Sequence, residues 1–211
     1  MHTLAIDCSS EACSVALFDG PDLLAGDWQM LGRGHAEALI PKIAALPDKG
    51  RAERIVVGLG PGSFTGVRIG LAAARALGLA WSAPVFGYPS LALVAAMAQN
   101  EMAQREHRQQ PILIAATAGH GEWFVQNFAA NAQPTTPLAS LNPETAMNFD
   151  TDWVAGSQAD TLVAMRGYGC AMPIWPDARC AMLLASGHLT TDLTPIYGRA
   201  PDAKIAAPPP L

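Results

Sequence analysis

Apolar and polar positions change rhythm several times along this 211-residue chain. The opening TLAIDCSSEACSVALFDGPDLLAG sets apolar runs at 4–6, 13–18 and 23–25 between turn residues, the last run following Asp19-Gly20. That pattern predicts a β-meander of three strands. In GHAEALIPKIAAL (34–46), Ala38, Leu39, Ile43 and Leu46 recur every three to four residues, which predicts an amphipathic helix that Pro41 can kink. RIVVGLG (54–60) is a β-branched run ending in glycines, and SFTGVRIGLAAARALGLAW behind it is rich in alanine and leucine without a proline. A strand, a tight loop and a long helix are expected there. APVFGYPS predicts a further strand, and PSLALVAAMAQNEMAQREH a helix that turns from apolar to charged around Asn100.

That shift in composition marks a lobe boundary, with residues 1–100 as the first lobe and 101–211 as a reduced second one. PILIAATAG and EWFVQNF read as a hairpin, TDWVAG as another strand, and 178–188 as a helix. The order of elements repeats the first half in reduced form, although no sequence repeat of fixed period accompanies it. The proline-rich tail APPPL can join neither helix nor ladder and is expected to be extended and mobile.

Composition narrows the function classes. Half of the residues are hydrophobic and 15% are charged, as in a compact globular chain. Thirteen Lys and Arg against eighteen Asp and Glu give a net charge of −5, which gives little support to nucleic-acid binding by counterion release. No apolar run reaches the roughly 18–20 residues of a membrane span. The four cysteines, Cys8, Cys13, Cys170 and Cys180, lack CxxC spacing, and MHTLAIDCSS does not read as a leader. Free thiols in a cytoplasmic protein are expected.

The densest motif is GLGPGSFTGVRIG (58–70), with five glycines. It lacks the lysine of a Walker loop, and the third glycine of a dinucleotide fingerprint is replaced by Thr65. What remains for an anion is the N-terminus of the following helix near residues 63–66. Gly62, Gly66, Gly70, Ala74 and Gly78 recur every four residues and so form one stripe. Each interior glycine destabilises a helix by up to about 1 kcal/mol relative to alanine, so the stripe needs close packing, against the chain's own sheet or across a subunit interface. The five histidines form no H-x-x-x-H pair and no G-x-S-x-G elbow occurs, so no metal ligand or catalytic residue is assigned. His35, beside Glu37, reads as a surface or capping residue. Asp7, followed by Ser9 and Ser10 at the end of the first strand, could hold hydrated magnesium near a nucleotide, or could close the hairpin with side-chain to backbone bonds.

The pieces LAIDCSSEACSVALF, GHAEALIPKI, GLGPGSFTGVRIGLAAARALGLA, VFGYPSLALVA and PIYGRAPDAK, in this order, resemble the TsaB (YeaZ) family, bacterial subunits of the machinery that makes threonylcarbamoyladenosine in tRNA. The resemblance implies an α/β fold of two lobes like actin, Hsp70 and sugar kinases, with a shortened C-terminal lobe. It implies a non-catalytic partner that binds and activates TsaD, the subunit that transfers threonylcarbamoyl to the tRNA adenosine beside the anticodon. The ATPase TsaE joins through the complex, a homodimer forms in isolation, and tRNA is met only indirectly. No cofactor is expected on this chain alone, with ATP or ADP at the level of the complex. The catalytic relatives bind metal through a helical His-x-x-x-His, where this chain has His35 and then Leu39. The family pairs through its first two helices, which tips the stripe toward the interface: His35, Leu39, Gly62, Gly66, Arg68, Gly70, Ala74 and Gly78 become candidate partner residues. Arg68 is left to reach a partner carboxylate. Asp7, Ser9 and Ser10 become a vestigial nucleotide site. Relatives carry an Asp-Ala-Arg-like segment before Gly-Glu where this chain reads AATAGHGEW (115–123). The alternative within the superfamily is an independent ATPase, kinase-like enzyme or metallopeptidase.

Overall fold

In a computed structural model, which describes residues 1–198, the first strands carry long buried runs. β1 (His2–Asp7) and β2 (Ala12–Asp19) are buried at nearly every position, so their sheet is covered on both faces. β3 (Asp22–Met30) is mostly exposed and pairs only with β2, an edge strand carrying polar residues. The meander predicted from the apolar runs is therefore present, and its third strand is longer than expected. β4 (Arg54–Gly58) and β5 (Val85–Tyr88) add in parallel beside β1, giving the order β3-β2-β1-β4-β5.

The two covering layers follow from which residues alternate. Leu4, Ile6, Val15, Leu17, Ile55 and Val57 face α1 (His35–Ala44) and α2 (Phe64–Trp81). On the opposite face, Ala5, Ala16, Phe18, Val56 and Tyr88 meet Leu93 of α3 (Ser90–Gln104) together with Ala178 and Ala181. α1 runs through Pro41 as one helix.

The second sheet is β8 (Ala139–Leu141), β7 (Glu122–Phe128), β6 (Ile112–Gly119), β9 (Trp153–Ala155) and β10 (Cys170–Met172), in that spatial order. β6 pairs antiparallel with β7 and parallel with β9, as β1 does with β2 and β4. α4 (Pro143–Ala146) and α5 (Ala159–Arg166) take the places of α1 and α2. The repetition read from element order is thus a repetition of topology. β8, β10 and α5 carry too few apolar positions to register in a pattern search. Between the sheets lies α3, buried almost all round because its other side packs on Ile112, Ile114, Phe124 and Phe128.

Two expectations need correction. Residues 178–188 form two 3-10 turns, Ala178–Leu183 and Ser186–His188, and not one helix. Leu184 and Ala185 between them are extended, which lets the segment lie flat on the sheet and bury Ala178 and Ala181. The boundary expected at residue 100 falls inside α3, which packs on both sheets, and the chain later returns to the first sheet. The Ala178 N–H donates to Ser14 Oγ (2.9 Å), Thr190 and Gly87 exchange backbone bonds (2.8 and 3.0 Å), and the Ile196 N–H donates to the Leu59 carbonyl (2.8 Å). The APPPL tail, and PIYGRAPDAK beyond residue 198, lie outside the described residues.

Candidate functional site

Asp7 closes β1 with a carboxyl group wholly inside the protein. The Ser9 N–H (2.8 Å) and Ser9 hydroxyl (2.6 Å) donate to its Oδ1, and the Tyr88 hydroxyl (3.0 Å) and Ser90 hydroxyl (3.4 Å) to its Oδ2. Gly58 of β4 covers the group so closely that a Cβ there would overlap Oδ2. Burial pushes the Asp7 carboxyl above the usual carboxylate range, partly opposed by the hydrogen bonds from Ser9, Tyr88 and Ser90. Burial, together with Asp7 itself, holds the Tyr88 phenol well above its ordinary value. Four donors of its own chain occupy this carboxyl.

In front of that network a cleft of about 340 Å³ opens between the two sheets. Ser9, Ser10 and Ser63 line it from the first lobe and Thr117 and Ser157 from the second, and Trp175 is also part of the lining. Of the three residues of the predicted nucleotide remnant, Ser9 and Ser10 reach the cleft, and Asp7 lies behind it. No lysine or arginine lines it among the described residues. Two of the donors at the start of α2 are engaged within the chain: the Ser63 hydroxyl accepts from the Gly66 N–H (3.1 Å), and the Ser63 N–H donates to the Ser9 carbonyl (2.7 Å). Among the described residues no three His, Cys, Asp or Glu side chains gather as a metal cluster would need.

The glycine stripe faces inward. A Cβ at Gly62 would overlap the Ser9 carbonyl, one at Gly66 the Cys8 carbonyl, and one at Gly78 would press on Val85. At Gly70 the neighbours are Cys8, Val57 and Ile6 at 3.6–3.7 Å, and Ala74 is fully buried. The stripe expected at a partner interface thus lets α2 settle onto β1, β4 and β5 of its own sheet. His35 and Leu39 are corrected in the same way. Leu39 is a core residue, and buried His35 sets Nε2 at 3.0 Å from the Ser10 carbonyl and 3.2 Å from that of Ala12, tying the start of α1 to the β1–β2 turn. All four cysteines are free, and Cys8 and Cys13, opposed across the hairpin, place their sulfurs 3.6 Å apart in the core.

What these helices present outward is a different set. Ile40 on α1 is 52% exposed, and Phe64 and Leu79 on α2 are 63% and 87% exposed. Arg68 is exposed on that outer face, its guanidinium folded back 3.2 Å over the Phe64 ring, where it donates to the Phe64 carbonyl (3.0 Å) and the Tyr197 hydroxyl (2.6 Å). Arg75, about two turns further on, donates to the Leu193 carbonyl (3.1 Å). Sequence reasoning missed Phe64, Arg75, Leu79 and Tyr197. Phase on the helix was the available signal, since residues 68, 72, 75, 76 and 79 lie opposite the glycine stripe.

A family model described as "TsaD: tRNA N6-adenosine threonylcarbamoyltransferase" matches residues 29–189. An uncharacterized protein of Mycobacterium tuberculosis H37Rv is 30% identical over 95% of this chain and 93% of its own length. The tRNA threonylcarbamoyladenosine biosynthesis protein TsaB of Escherichia coli K12 is 36% identical over 59% of this chain and 53% of its own. Its Haemophilus influenzae counterpart is 29% identical over 81% and 80%. Among solved structures, YeaZ from Pseudomonas aeruginosa superposes with a TM-score of 0.75 at 26% identity, covering 93% of this chain and 99% of that one. This chain belongs to the TsaB (YeaZ) family. In a TsaB-family chain the paired topologically equivalent sheets are the two lobes of the actin-like fold. The ethanolamine utilization protein EutJ from Carboxydothermus hydrogenoformans shares that fold at a TM-score of 0.50 and 10% identity, over 88% of this chain and 90% of its own. No helix of the described residues is long and apolar enough to cross a membrane.

Proposed function

We propose that this chain is the non-catalytic subunit that binds and activates TsaD for threonylcarbamoyl transfer to the tRNA adenosine beside the anticodon. The observation that carries the reading is the apolar surface of two neighbouring helices, Ile40 on α1 with Phe64 and Leu79 on α2, exposed on a chain whose family works in tRNA threonylcarbamoyladenosine biosynthesis. Apolar side chains so exposed on adjacent elements suit a protein partner. Asp7 supports the non-catalytic half of the reading. A carboxyl closed in by its own serines and tyrosine is poorly placed to hold hydrated magnesium at a phosphate. The nucleotide chemistry of the complex then belongs to its other subunits, TsaE joins through TsaD, and alone this chain pairs with itself through the same helices.

Light scattering on the chain alone and mixed with TsaD of the same cell, followed by a threonylcarbamoylation assay, tests the proposal. A heterodimer, with tRNA modification only when both proteins are present, is expected. Modification at full rate by TsaD without this chain, or ATP hydrolysis by this chain unaided, overturns it.

A further inference from the structure

Cys8 and Cys13 belong neither to the exposed faces of α1 and α2 nor to the donors around Asp7. The register of β1 on β2 ends at Asp7 opposite Ser14, so the two cysteines are the next opposed pair across the hairpin, and their Sγ atoms lie 3.6 Å apart. Opposed residues of antiparallel strands hold their Cα atoms about 4.5–5.5 Å apart, inside the roughly 4.4–6.8 Å that a disulfide spans. Closing the bond to about 2.05 Å therefore asks for a small approach of two sulfurs already in contact. The two thiols are not equivalent. A hydrogen bond from the Cys8 thiol and the charge of Lys42 hold the Cys13 thiol below its ordinary value, against burial and the carboxylates of Asp7 and Asp27, whereas that bond and burial push the Cys8 thiol well above its own. Lys42 is kept at this end of the sheet by Asp27 at 2.7 Å and by Gln29, the β3 neighbour of Cys13, at 3.0 Å.

The four residues between the cysteines form a turn whose carbonyls tie down the approaches to both helices. The Ser9 carbonyl accepts from the Ser63 N–H, the Ser10 and Ala12 carbonyls accept from His35 Nε2, and the Glu11 carbonyl accepts from the N–H groups of Leu31 and Gly32 (both 2.9 Å). Both sulfurs are buried, but Ser9, Ser10 and Glu11 also line the cleft, so local opening of this turn admits a molecule as small as hydrogen peroxide. We infer that Cys8 and Cys13 are a reversible redox pair, which a peroxide closes into a disulfide and a dithiol reopens, and that the closed form fastens the turn beneath the starts of α1 and α2. The Cys13 thiolate attacks one oxygen of hydrogen peroxide and breaks the O–O bond, giving a sulfenic acid and hydroxide. The Cys8 sulfur then attacks the sulfenic sulfur, the S–O bond breaks, and a second hydroxide leaves. Each hydroxide takes the proton of one thiol, so two thiols and one peroxide become one disulfide and two waters, with two electrons passing from sulfur to oxygen. The inference does not depend on the partner-subunit reading.

The test treats the full, folded chain with hydrogen peroxide, blocks the remaining thiols with N-ethylmaleimide in urea, and cleaves after glutamate. Glu11 stands between the two cysteines, so peptides 1–11 and 12–37 stay joined only through a disulfide. Mass spectrometry is expected to find them joined, and dithiothreitol given before the blocking step to separate them. In Cys8→Ser the reaction should stop at the sulfenic acid, trapped on Cys13 by dimedone, whereas in Cys13→Ser residue 8 should take up no dimedone. Hydrogen exchange followed by NMR on the oxidised chain should show the amides of Leu31, Gly32 and Ser63 slowed at least tenfold, with recovery on reduction. If exposed Cys170 is oxidised while the two peptides remain separate, or if the link forms only when peroxide is added in urea, the inference fails. Unchanged exchange at those three amides in the linked chain overturns the fastening of the turn. The peptide map of the unaltered chain decides the pairing even where a serine variant does not fold.

Discussion

Asp7 is buried with no cationic side chain paired to it among the described residues, and its protonation is coupled to folding. Its pKa in the folded protein is raised above the unfolded value of about 3.9, so over the interval between the two the folded state holds the extra proton. Stability from this group is complete below the unfolded pKa and is lost as pH rises through the folded one. Asp7→Asn removes the ionisation while leaving hydroxyls able to reverse their bonds. The variant should fold and lose the part of the decline in urea stability that the unaltered chain shows on going from acid toward neutral pH. Two glycines of the stripe give a second comparison, because they look alike in the sequence and differ in the structure. A methyl group at Gly66 meets the Cys8 carbonyl, a backbone atom that cannot step aside, so Gly66→Ala should lower unfolding free energy by about 3 kcal/mol. At Gly70 the same methyl finds ordinary contact distances, and Gly70→Ala should be neutral or stabilise by up to about 1 kcal/mol through helix propensity. Urea titrations of both variants check the pair. A leucine at Gly70, by contrast, has no room against Cys8, Val57 and Ile6 and should damage folding itself, because the stripe packs internally.

At the scale of elements, legibility followed how much of its own burial each segment carries. The meander, α1, α2 and β4 were readable because their apolar positions recur with a strand or helix period. β8, β10 and α5 were not, because three-residue strands and an eight-residue helix hold their shape through pairing and packing with neighbours. The 178–188 segment looked helical because alanine and leucine dominate it, yet the sheet surface beneath favours two short 3-10 turns. Of the candidate site, the stripe's need for close packing was readable from its spacing, but not the direction it faced. A four-residue repeat shows which residues share a face and says nothing of what lies opposite. The returning segment 190–198 had no apolar period to show it, since its hold on the first lobe consists of backbone bonds to Gly87 and Leu59, of the bonds from Arg75 to the Leu193 carbonyl and from Arg68 to the Tyr197 hydroxyl, and of the half-buried Leu193 and Ile196 against the core. Removing residues 190–211 should therefore destabilise the first lobe, by about 2 kcal/mol or roughly 4–8 °C in melting temperature. Thermal unfolding followed by circular dichroism measures it.

Among the described residues, two topologically equivalent lobes share α3, and residues 190–198 are fastened back onto the first lobe, so the cleft between the sheets is bordered by connected parts. The donors near it are largely engaged within the chain, while the outer faces of α1 and α2 expose side chains that an isolated monomer gains nothing by exposing. On the proposed docking reading, folding and association draw on opposite sides of the same helix, and that separation can be tested with one residue. Leu79 is 87% exposed and lies in the last turn of α2, where a cation suits the helix dipole. Leu79→Lys should leave unfolding free energy within about 0.5 kcal/mol of the unaltered chain. In an assembly that buries this position, losing the leucine contact weakens association by about 2 kcal/mol, roughly thirtyfold in Kd. Light scattering at a series of concentrations, alone and with TsaD, reads that shift. Unchanged association in both mixtures would remove the outer face of α2 from the docking surface, and a fall in unfolding free energy of several kcal/mol would mean that Leu79 serves the fold.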